Sequence, residues 1–325
     1  MSEASARAGS SSASGSTAAL DAAFRAERRA LFLLCYRMTG SAADAEDLVQ
    51  ETFARALERP PARADLPWAP WLVRVAVNLA RDHLRRRKRR AYVGPWLPSP
   101  IETDAFADLL PPPAATEPAS TSGRYELLES VGFAFLLALE ALTPSQRAVL
   151  LLCDVLEYSG RDAAEALGMS EPNVRQTLVR ARRAMAAYDR RRCAPTQEQT
   201  LRTRDALGRF LAHLAQRDAA GIEALLAEDV VAWNDGGGEF AAARKPVRGR
   251  ERVARFHVKI SRGALPRLRL ATLNGVPALV AEFEHAPPHL ARRLAIVPEL
   301  DAAGRLRAIY TVVATRKLAG LAPAA

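Results

Sequence analysis

The sequence predicts a multidomain protein with two all-α domains followed by an α+β domain. Apolar residues recur at helical spacing over residues 20–90 and 124–193, whereas short apolar runs typical of strands follow two helices within residues 197–325. A segment with seven prolines, residues 91–123, separates the two helical domains and is expected to be an extended linker. Residues 1–19 are mostly Ser, Ala and Gly, and we expect a disordered leader there.

Cations outnumber anions, and the excess is concentrated in the last domain. The chain carries 46 Lys and Arg residues against 36 Asp and Glu residues, for a net charge of +10. Residues 1–196 hold 26 cations and 23 anions, whereas residues 197–325 hold 20 and 13. Such a balance favours a phosphate-bearing or otherwise acidic partner. Because the first part contains separate acidic and basic segments, we expect it to contact both DNA and another protein.

The cysteines and the hydropathy argue against several classes of protein. Cys35, Cys153 and Cys193 are far apart, so they predict neither a disulfide framework nor a metal site, and they fit a reducing cytoplasm. We expect no metal and no cofactor. No apolar run reaches the roughly 18 residues of a membrane span, and residues 1–19 do not read as a signal peptide, so we expect no membrane partner.

One helix, predicted from Trp71 to Leu84, combines an apolar face with a cationic face. Its apolar stripe is formed by Leu72, Val75, Ala76, Leu79, Ala80 and His83. Its second face carries guanidinium groups and one amide, from Arg74, Asn78, Arg81 and Arg85. Such groups bind phosphates and base edges, and six consecutive cations over residues 85–90 extend the basic surface. The alternative is a solvated surface helix with a basic tail.

The preceding helix, predicted over Ala42–Glu58 with Ser41 as its N-cap, has an acidic outer face. Its apolar face is formed by Ala45, Leu48, Val49, Phe53 and Leu57. Its outer face presents Asp44, Asp47, Gln50, Glu51 and Glu58. An acidic face cannot attract DNA, so it either stays solvated or docks onto a cationic protein.

These two helices carry a resemblance to a known family. The stretch Asp44-Ala-Glu-Asp-Leu-Val-Gln-Glu-Thr-Phe53, followed by Trp71-Leu-x-x-x-Ala-x-Asn78-Leu-Ala-Arg81-Asp82, resembles region 2 of the sigma-70 family, and more narrowly the extracytoplasmic-function (ECF) sigma factors of bacterial RNA polymerase. The resemblance implies that the chain binds core RNA polymerase and promoter DNA. The residues that would bind the clamp helices of the polymerase β′ subunit are Asp44, Asp47, Gln50 and Glu51. Those that would read the −10 promoter element are Arg74, Asn78, Arg81 and Arg85.

The second helical domain predicts a helix-turn-helix. We expect a helix from Tyr125 to Leu142, another from Pro144 to Tyr158, and then a helix pair joined at Gly168. The small Ala164, the turn glycine and the apolar Val174 have the spacing of such a pair, because the glycine tolerates the left-handed turn. The alternative is a purely structural helical hairpin.

The second helix of that pair, predicted over Glu171–Tyr188, has a polar and cationic outer face that also contains Arg182. DNA contacts are expected from Ser170, Asn173, Arg175, Gln176, Arg180 and Arg183. Side chains near the start of such a helix reach base edges, and later ones reach phosphates. The order of residues from Thr143 to Arg175 resembles sigma region 4, which implies recognition of the −35 element and contact with the polymerase β flap.

The last domain, residues 197–325, resembles the SnoaL-like fold, a nuclear transport factor 2-like cone. We expect helices over 201–216, 219–226 and 249–260, and strands over 228–235, 268–273, 278–283, 291–298 and 306–315. Members of this fold often enclose an apolar pocket, and some are polyketide cyclases or isomerases. Asp235, His257 and His285 are therefore weak candidates for acid–base catalysis, and a small-molecule ligand in the pocket is an open question.

A regulatory role is the favoured interpretation of this domain. The piece Trp96-Leu-Pro-Ser-Pro100 resembles the Trp-Leu-Pro-Glu-Pro signature of the ECF subgroup with a fused C-terminal domain, with Ser99 in place of the Glu. The resemblance implies that the domain stands in for a separate anti-sigma factor. The expected contact set is Trp96, Leu97, Asp235, Gly236, Gly237, Gly238, Lys317 and Leu318.

The sequence thus favours a sigma factor that directs transcription initiation at −10 and −35 elements and is regulated by its C-terminal domain. One alternative is a ligand-responsive DNA-binding regulator. Another is a bifunctional protein with an active cyclase-like or isomerase-like domain. The acidic helix over residues 44–58 favours the sigma factor over the ordinary regulator, because the latter needs no polymerase-docking face.

Overall fold

The computed structural model describes residues 4–60, 67–87, 92–110, 124–192, 196–261 and 266–323, with side chains from residue 21 onward. The chain divides into two compact units. The first comprises Met1–Thr39, Asp44–Arg89 and Thr143–Arg182, and the second comprises Gly40–Ala43, Arg90–Leu142 and Arg183–Ala325. The two predicted helical domains therefore share the first unit in large part, whereas the predicted linker belongs to the second.

The helices are α1 (Ala4–Thr39), α2 (Ala42–Glu58), α3 (Ala69–Arg87), α4 (Phe133–Leu139), α5 (Pro144–Leu150), α6 (Gly160–Leu167), α7 (Glu171–Asp189), α8 (Gln197–Ala215), α9 (Ala219–Leu225), α10 (Arg250–Ile260) and α11 (Thr315–Leu318). The strands are β1 (Leu226–Asp235), β2 (Val247–Arg248), β3 (Arg267–Leu273), β4 (Val276–Glu282), β5 (Arg293–Leu300) and β6 (Leu306–Val312). Short 3-10 turns span Thr103–Phe106 and Glu129–Val131, and a π-helical turn, Leu151–Val155, continues α5.

The first helix begins much earlier than the sequence predicts. α1 extends from Ala4 to Thr39, so it includes residues 4–19, for which the sequence predicts a disordered leader. The later part of α1 buries Leu31, Leu34 and Met38. Extending an existing helix costs less than starting one, and the alanines of the N-terminal part have high helix propensity.

Aliphatic side chains of α2 and α3 form much of the core of the first unit. On α2, the predicted face is buried except for Leu57, which is 64% exposed. The buried residues of α3 are Leu72, Ala76, Val77, Leu79, Ala80 and Leu84. Val75 and His83 were expected on this stripe but are only half-buried, because the row from Leu72 to Leu84 at four-residue spacing faces the core.

The predicted helix-turn-helix is present, formed by α6 and α7. The helix before it, α5, begins with a capping box: Gln146 N donates to the Thr143 hydroxyl, and Thr143 N donates to the Gln146 side chain at 2.9 Å. α6 ends at Gly168, whose φ of 62° and ψ of 39° are left-handed. Val174 on α7 is 1% exposed and anchors that helix in the core.

The segment predicted as an extended linker packs within the second unit where it is described. Leu97, Ile101 and Leu110 are buried there. Glu102 forms an isolated antiparallel bridge with Leu273 at the end of β3. Residues 111–123 of the predicted linker lie outside the described residues.

The helix predicted over Tyr125–Leu142 is much shorter in the structure. A 3-10 turn is followed by Gly132, which is extended with φ −64° and ψ 148°, and only then does α4 begin. Gly132 interrupts the helix, and a methyl group added there would approach the Glu129 carbonyl oxygen at 3.1 Å. The run itself, Phe133–Leu139, buries aromatic and aliphatic side chains on several sides.

The C-terminal part of the second unit is built on one six-stranded sheet with the order β2-β1-β6-β5-β4-β3. β1 and β6 are parallel, and the other neighbours are antiparallel. The α+β architecture is confirmed, and so is the fold class of helical domains followed by an α+β domain. The sequence analysis missed β2 and α11 because two strand residues and four helical residues carry no periodic pattern.

The sheet has an apolar layer on each face. One layer, which includes Phe210 of α8 and Val253 of α10, packs the helices against Val230 and Ile309 of the sheet. The other layer contains Leu97 and Phe133 from the segments that precede the domain, together with tail residues, which are Leu318 and Leu321. The second face of the sheet is therefore covered by the linker segments and the tail.

Two glycines in different backbone conformations give opposite predictions for substitution by alanine. No atom lies within 4 Å of a methyl group added at Gly168 or at Gly208. Gly168→Ala should lower the free energy of unfolding of the first unit by about 1 kcal/mol, because alanine is strained at positive φ. Gly208→Ala, within α8, should stabilise the second unit by about 0.5–1 kcal/mol. Denaturation followed by circular dichroism measures both, and an unaffected Gly168→Ala protein would contradict the left-handed turn.

Candidate functional site

Arg81, predicted to read the −10 element, is hydrogen-bonded to the helix-turn-helix and to the start of α5. Its Nη1 donates to the Leu167 carbonyl at 3.2 Å, and its Nη2 donates to Ser145 Oγ at 3.2 Å. Nη1 also donates to Asn78 Oδ1 at 3.1 Å. Partial burial, and then the nearby charge of Arg85, lower the pKa of Arg81. Two of the four predicted DNA-reading groups of α3 therefore contact other protein groups.

The other two groups of this face are exposed. Arg74 is open to solvent, and Arg85 is exposed with its Nη1 2.9 Å from Asp82 Oδ1. Arg87, at the end of α3, donates to the Thr39 carbonyl at 2.6 Å and so holds the end of α1. Residues 88–90 of the basic run lie outside the described residues.

The predicted DNA-facing residues of the helix-turn-helix are all exposed. They are Ser170, Asn173, Arg175, Gln176, Arg180 and Arg183. Arg175 lies 3.4 Å from Glu171 one turn earlier on α7. The opposite side of α7 is buried at Val174 and Ala181, so the exposed face is held in a fixed orientation.

Arg182 is exposed like its neighbours on α7, but its guanidinium also forms two hydrogen bonds with one carboxylate. Its Nε and Nη2 donate to the two carboxylate oxygens of Asp154 at 2.9 and 2.6 Å. Asp154 is 3% exposed, so this pair joins α7 to the π-helical turn after α5. The sequence analysis grouped Arg182 with the outer face, but its hydrogen bonds give it a structural role.

The acidic face of α2 is exposed at three of the four predicted polymerase-binding positions, Asp47, Gln50 and Glu51. Asp44, the fourth, is half-buried, and its Oδ2 lies 3.4 Å from His83 Nε2 of α3. Glu51 pairs with Arg55 on the same helix at 2.9 Å. A surface pair of this kind contributes little energy, so the face remains available to a partner.

The carboxylate of Asp235 is the centre of a buried polar cluster in the second unit. Asp235 is 0% exposed. Its Oδ1 accepts the Tyr92 hydroxyl at 2.6 Å and Gly237 N at 2.9 Å. Its Oδ2 accepts Leu97 N at 2.8 Å and Lys317 Nζ at 2.6 Å. We call these five residues the Asp235 cluster, and within it every lone-pair direction of the carboxylate is used.

Lys317 of α11 supplies the positive charge of the Asp235 cluster. Its Nζ also donates to the Leu97 carbonyl at 2.5 Å. The Nζ lies 4.9 Å from the centre of the Tyr92 ring and 4.7 Å from that of the Trp96 ring, which is within the range of a cation–π interaction. Burial, and then the hydrogen bond to Asp235, raise the pKa of Tyr92, so its hydroxyl remains a donor.

The remaining residues of the expected regulatory contact lie around this cluster. Gly237 and Gly238 have φ of 59° and 81°, and methyl groups added there would approach Ala314 and Val93 at 3.1 and 3.3 Å. A methyl group added at Gly236, the residue before them, would approach the Phe240 carbonyl at 2.8 Å. Leu318 is 2% exposed and shares an apolar layer with Leu97. The structure therefore brings the predicted contact set together.

The three weak catalytic candidates are not brought together. Asp235 is saturated by its four donors, and His285 is exposed. His257 is buried on the helix side of the sheet, where its Nδ1 lies 2.9 Å from the Val253 carbonyl. Burial lowers the pKa of His257, so its ring is neutral near neutral pH. The geometry offers no acid–base pair among these groups.

A small cavity of about 120 Å³ lies between the segment around Phe133 and the sheet. Its polar groups are paired, because the hydroxyls of Tyr188 and Tyr310 each donate at 2.6 Å to the carboxylates of Glu129 and Glu299. Ligand pockets are commonly about 300–1,000 Å³. This cavity is therefore too small for a drug-sized ligand in the present conformation.

Other site types receive no support from the described residues. No group of His, Cys, Asp and Glu side chains in that part of the chain could hold a metal ion. Nor does any helix there combine the length and apolar character needed to cross a bilayer. Burial raises the pKa of the Cys35 thiol to about 12 and that of Cys153 to about 11. Cys193 lies outside the described residues.

The sequence analysis missed the turn between β3 and β4, which holds the linker. The Asn274 side chain accepts from Ile101 N at 3.0 Å and donates to the Val131 carbonyl at 2.7 Å. Gly275 N donates to the Thr103 hydroxyl at 2.7 Å. An Asn-Gly pair between two strands is the signal that marks this turn, but its contacts with the linker have no local signal. Tyr92 was missed as a donor for the same reason.

Two family models match the chain. The model of Sigma-70 region 2 matches residues 23–90, which include α2 and α3. The model of Sigma-70, region 4 matches residues 133–185, which include the helix-turn-helix. The matched segments contain the acidic face of α2, the cationic face of α3 and the exposed face of α7.

Relatives and solved structures extend the similarity to the C-terminal domain. The ECF RNA polymerase sigma factor SigJ of Mycobacterium tuberculosis is 34% identical over 258 residues, which are 78% of this chain and 78% of that protein. SigG of the same organism is 39% identical over 57% of this chain and 53% of its own length. The crystal structure of the M. tuberculosis SigJ sigma factor matches 93% of this chain and 99% of its own chain, with a TM-score of 0.67 and 28% identity.

Arg182 and Arg183 provide a matched test of structural and exposed roles on α7. Arg182→Gln should lower the free energy of unfolding by about 2 kcal/mol, because it removes the cation from a buried carboxylate. Arg183→Gln should leave the free energy of unfolding unchanged, because the side chain is exposed. Denaturation curves of the two variants measure the difference. Equal stability of the two proteins would contradict the role assigned to the Asp154–Arg182 pair.

Proposed function

We propose that this chain, which belongs to the ECF family of RNA polymerase sigma factors, directs transcription initiation by recognising the −10 and −35 elements of a promoter. Members of that family bind core RNA polymerase and promoter DNA. In this proposal the acidic face of α2 binds the clamp helices of the β′ subunit, α3 reads the −10 element, α7 reads the −35 element, and the second helical domain contacts the β flap. RNA polymerase and DNA share the bacterial cytoplasm, so the chain would act there.

The observation that carries the proposal is the charge of the exposed helix faces in the first unit. α2 presents Asp47 and Glu51 to solvent, whereas α7 presents Arg175 and Arg180. An exposed acidic helix face makes no favourable contact with DNA, so a protein that binds only DNA does not require one. A subunit that joins DNA to another protein needs both charges, because each face attracts one partner and repels the other.

Contact between α3 and α6 supports a closed state that must open at a promoter. The −10 and −35 elements are centred about 25 base pairs apart, or about 85 Å of B-DNA at about 3.4 Å per base pair. α3 and the helix-turn-helix instead contact each other through Arg81 and the Leu167 carbonyl, 3.2 Å apart. The two DNA-reading elements must therefore separate, and separation would release the Arg81 guanidinium for phosphate or bases.

The linker that must extend during opening is held on the C-terminal domain, which supports a regulatory role for that domain. Tyr92 and Leu97 of the linker bind Asp235, and Ile101 binds Asn274. Lys317 completes the cluster from the tail. We infer that the Asp235 cluster restrains the linker and so favours the closed state.

The two alternative functions are less well supported by the geometry. Catalysis by Asp235 would require it to release one of its four donors, so we infer a structural role for this residue. A ligand-responsive regulator needs an enclosed pocket large enough for a ligand. The cavity near Phe133 measures about 120 Å³, and the larger space of about 580 Å³ beside α8 is an open cleft lined by exposed charged side chains such as Arg202 and Arg305. Neither alternative accounts for the acidic face of α2.

Charge reversal on α2 tests polymerase binding. Asp47→Arg/Glu51→Arg should reduce polymerase-dependent initiation by about ten-fold or more, because the two new arginines would repel a cationic partner surface. The measurement is run-off transcription with bacterial core RNA polymerase, on a promoter selected from a random library by the unchanged holoenzyme.

A matched double reversal on α8, Glu198→Arg/Asp205→Arg, controls for the change in net charge, since both carboxylates are exposed. It should leave initiation unchanged. If both double variants initiate like the unchanged chain, the α2 face does not bind polymerase. If the unchanged chain initiates nothing but binds DNA without polymerase, the ordinary regulator is the better description.

Removal of the Lys317 charge tests the restraint on the linker. Lys317→Met leaves the buried Asp235 carboxylate without its cation, which should cost about 3 kcal/mol of local stability. Initiation in the same run-off assay should rise several-fold, because a released linker favours separation of the DNA-reading elements. Arg316→Gln, one residue earlier and exposed, is the control and should leave initiation unchanged. A loss of initiation with Lys317→Met would mean that the docked linker belongs to the active state.

A further inference from the structure

α10 carries a row of cations on its exposed side. Arg252, Arg255 and Lys259 lie three and four residues apart, so they share one face along about 10 Å of helix. Three further exposed cations lie just before α10 in the chain, in β2 and in the loop that precedes it. The complete set, which we call the α10 basic surface, is Arg244, Lys245, Arg248, Arg252, Arg255 and Lys259.

The charge of this surface is almost uncompensated along the chain. Residues 240–261 contain seven cations and a single carboxylate, Glu251. Glu251 lies 2.9 Å from Arg255, but both side chains are more than half exposed, so the pair contributes little. The seventh cation, Arg250, is used internally, because it donates to the Glu223 carbonyl at 3.2 and 3.1 Å. Six cations of this stretch are therefore exposed, and three of them lie on one face of α10.

The opposite side of α10 is packed into the domain, which fixes the spacing of the cations. Val253, Ala254 and His257 are buried, and the His257 ring contacts the ring of Phe210 at 5.3 Å. His257 is neutral because burial lowers its pKa, so it adds no charge to the helix. The helix cannot rotate to expose an apolar side, and its basic side is held toward solvent.

We propose that the α10 basic surface binds the phosphate backbone of duplex DNA, as a third DNA contact in addition to α3 and α7. Duplex DNA carries about one negative charge per 1.7 Å, and guanidinium groups match phosphate oxygens in geometry. This choice of partner rests on the proposed function, which places the chain on promoter DNA. Once α3 or α7 has bound DNA, the adjoining DNA is held near the α10 basic surface at a high effective concentration. A contact with phosphates that is weak by itself can then contribute to binding.

The composition of the surface argues against a membrane or an acidic protein as the partner. A helix that binds a membrane surface needs an apolar side free to enter the lipid, and that side of α10 is buried. A protein interface needs an apolar or aromatic centre. The exposed side of α10 offers one large aliphatic side chain, Ile260, at its end. Phosphate binding needs neither feature and is independent of base sequence.

The test compares two neutralised variants of the full chain. The first is Arg252→Gln/Arg255→Gln/Lys259→Gln. The second removes three cations from the exposed surface of the same domain, with Arg202→Gln/Arg209→Gln/Arg305→Gln. Fluorescence anisotropy with a 40-base-pair duplex of random sequence, from about 50 to 200 mM salt, measures affinity and its salt dependence. Vesicles of phosphatidylglycerol provide a second anionic surface, and circular dichroism checks that both variants fold.

The α10 variant should bind the duplex about ten-fold more weakly. The slope of log affinity against log salt concentration should also become less steep by about 2 to 3, because each phosphate contact contributes about 0.9 to that slope. The control variant should change the slope by less than one. Equal losses of duplex affinity in both variants would mean that net charge alone causes the effect, and would overturn the proposal. So would unchanged duplex binding, no measurable binding by the unchanged chain, or a loss confined to the vesicles. Run-off initiation by the unchanged chain tests the proposed function separately, because the duplex assay contains no polymerase.

Discussion

The buried carboxylate of Asp235 is the interaction on which the arrangement of the second unit depends. It joins two linker groups and a tail lysine that are distant in sequence, and it also accepts from a turn glycine two residues away. An apolar contact tolerates small displacements, because its energy varies gradually with buried area. A buried carboxylate does not, because losing any donor leaves part of a charge unpaired in a poorly solvated site. Asp235 therefore links the linker to the tail through one carboxylate.

In the first unit, a charged side chain again makes contacts that depend on its hydrogen-bond partners, and here the charge is a cation. Arg81 satisfies its guanidinium with a main-chain carbonyl and a hydroxyl of the second helical domain. These acceptors are neutral, whereas a phosphate is charged and forms stronger hydrogen bonds with a guanidinium. The contact between α3 and α6 is thus made by a group that has a better partner in DNA. In the proposed function, the closed state is stable in the free protein and opens when promoter DNA is present.

The sequence predicted those features that depend on local patterns. The bounds of α2 agree with the expectation, and the left-handed Gly168 lies where the helix-turn-helix spacing placed it. α4 was predicted too long because Phe133–Leu139 is apolar on every side and offers no polar boundary. The expected regulatory set came from resemblance, and its geometry could not be derived locally. The difference between Arg182 and Arg183 depends on Asp154, which is 28 residues away in sequence, so no periodicity reveals it.

A buried ion pair suits a regulator because the complete pair contributes little net stability, whereas removal of one partner costs much stability. While all four donors are in place, Asp235 adds little stability beyond what an apolar residue of similar volume would provide. Loss of the Lys317 donor would leave the buried carboxylate without its cation, which would weaken the cluster through which Asp235 also binds Tyr92 and Leu97. In the proposed function, one lost contact therefore affects several segments. A partner that attracts Lys317 or the linker would need to remove only one donor, and the remaining contacts would follow.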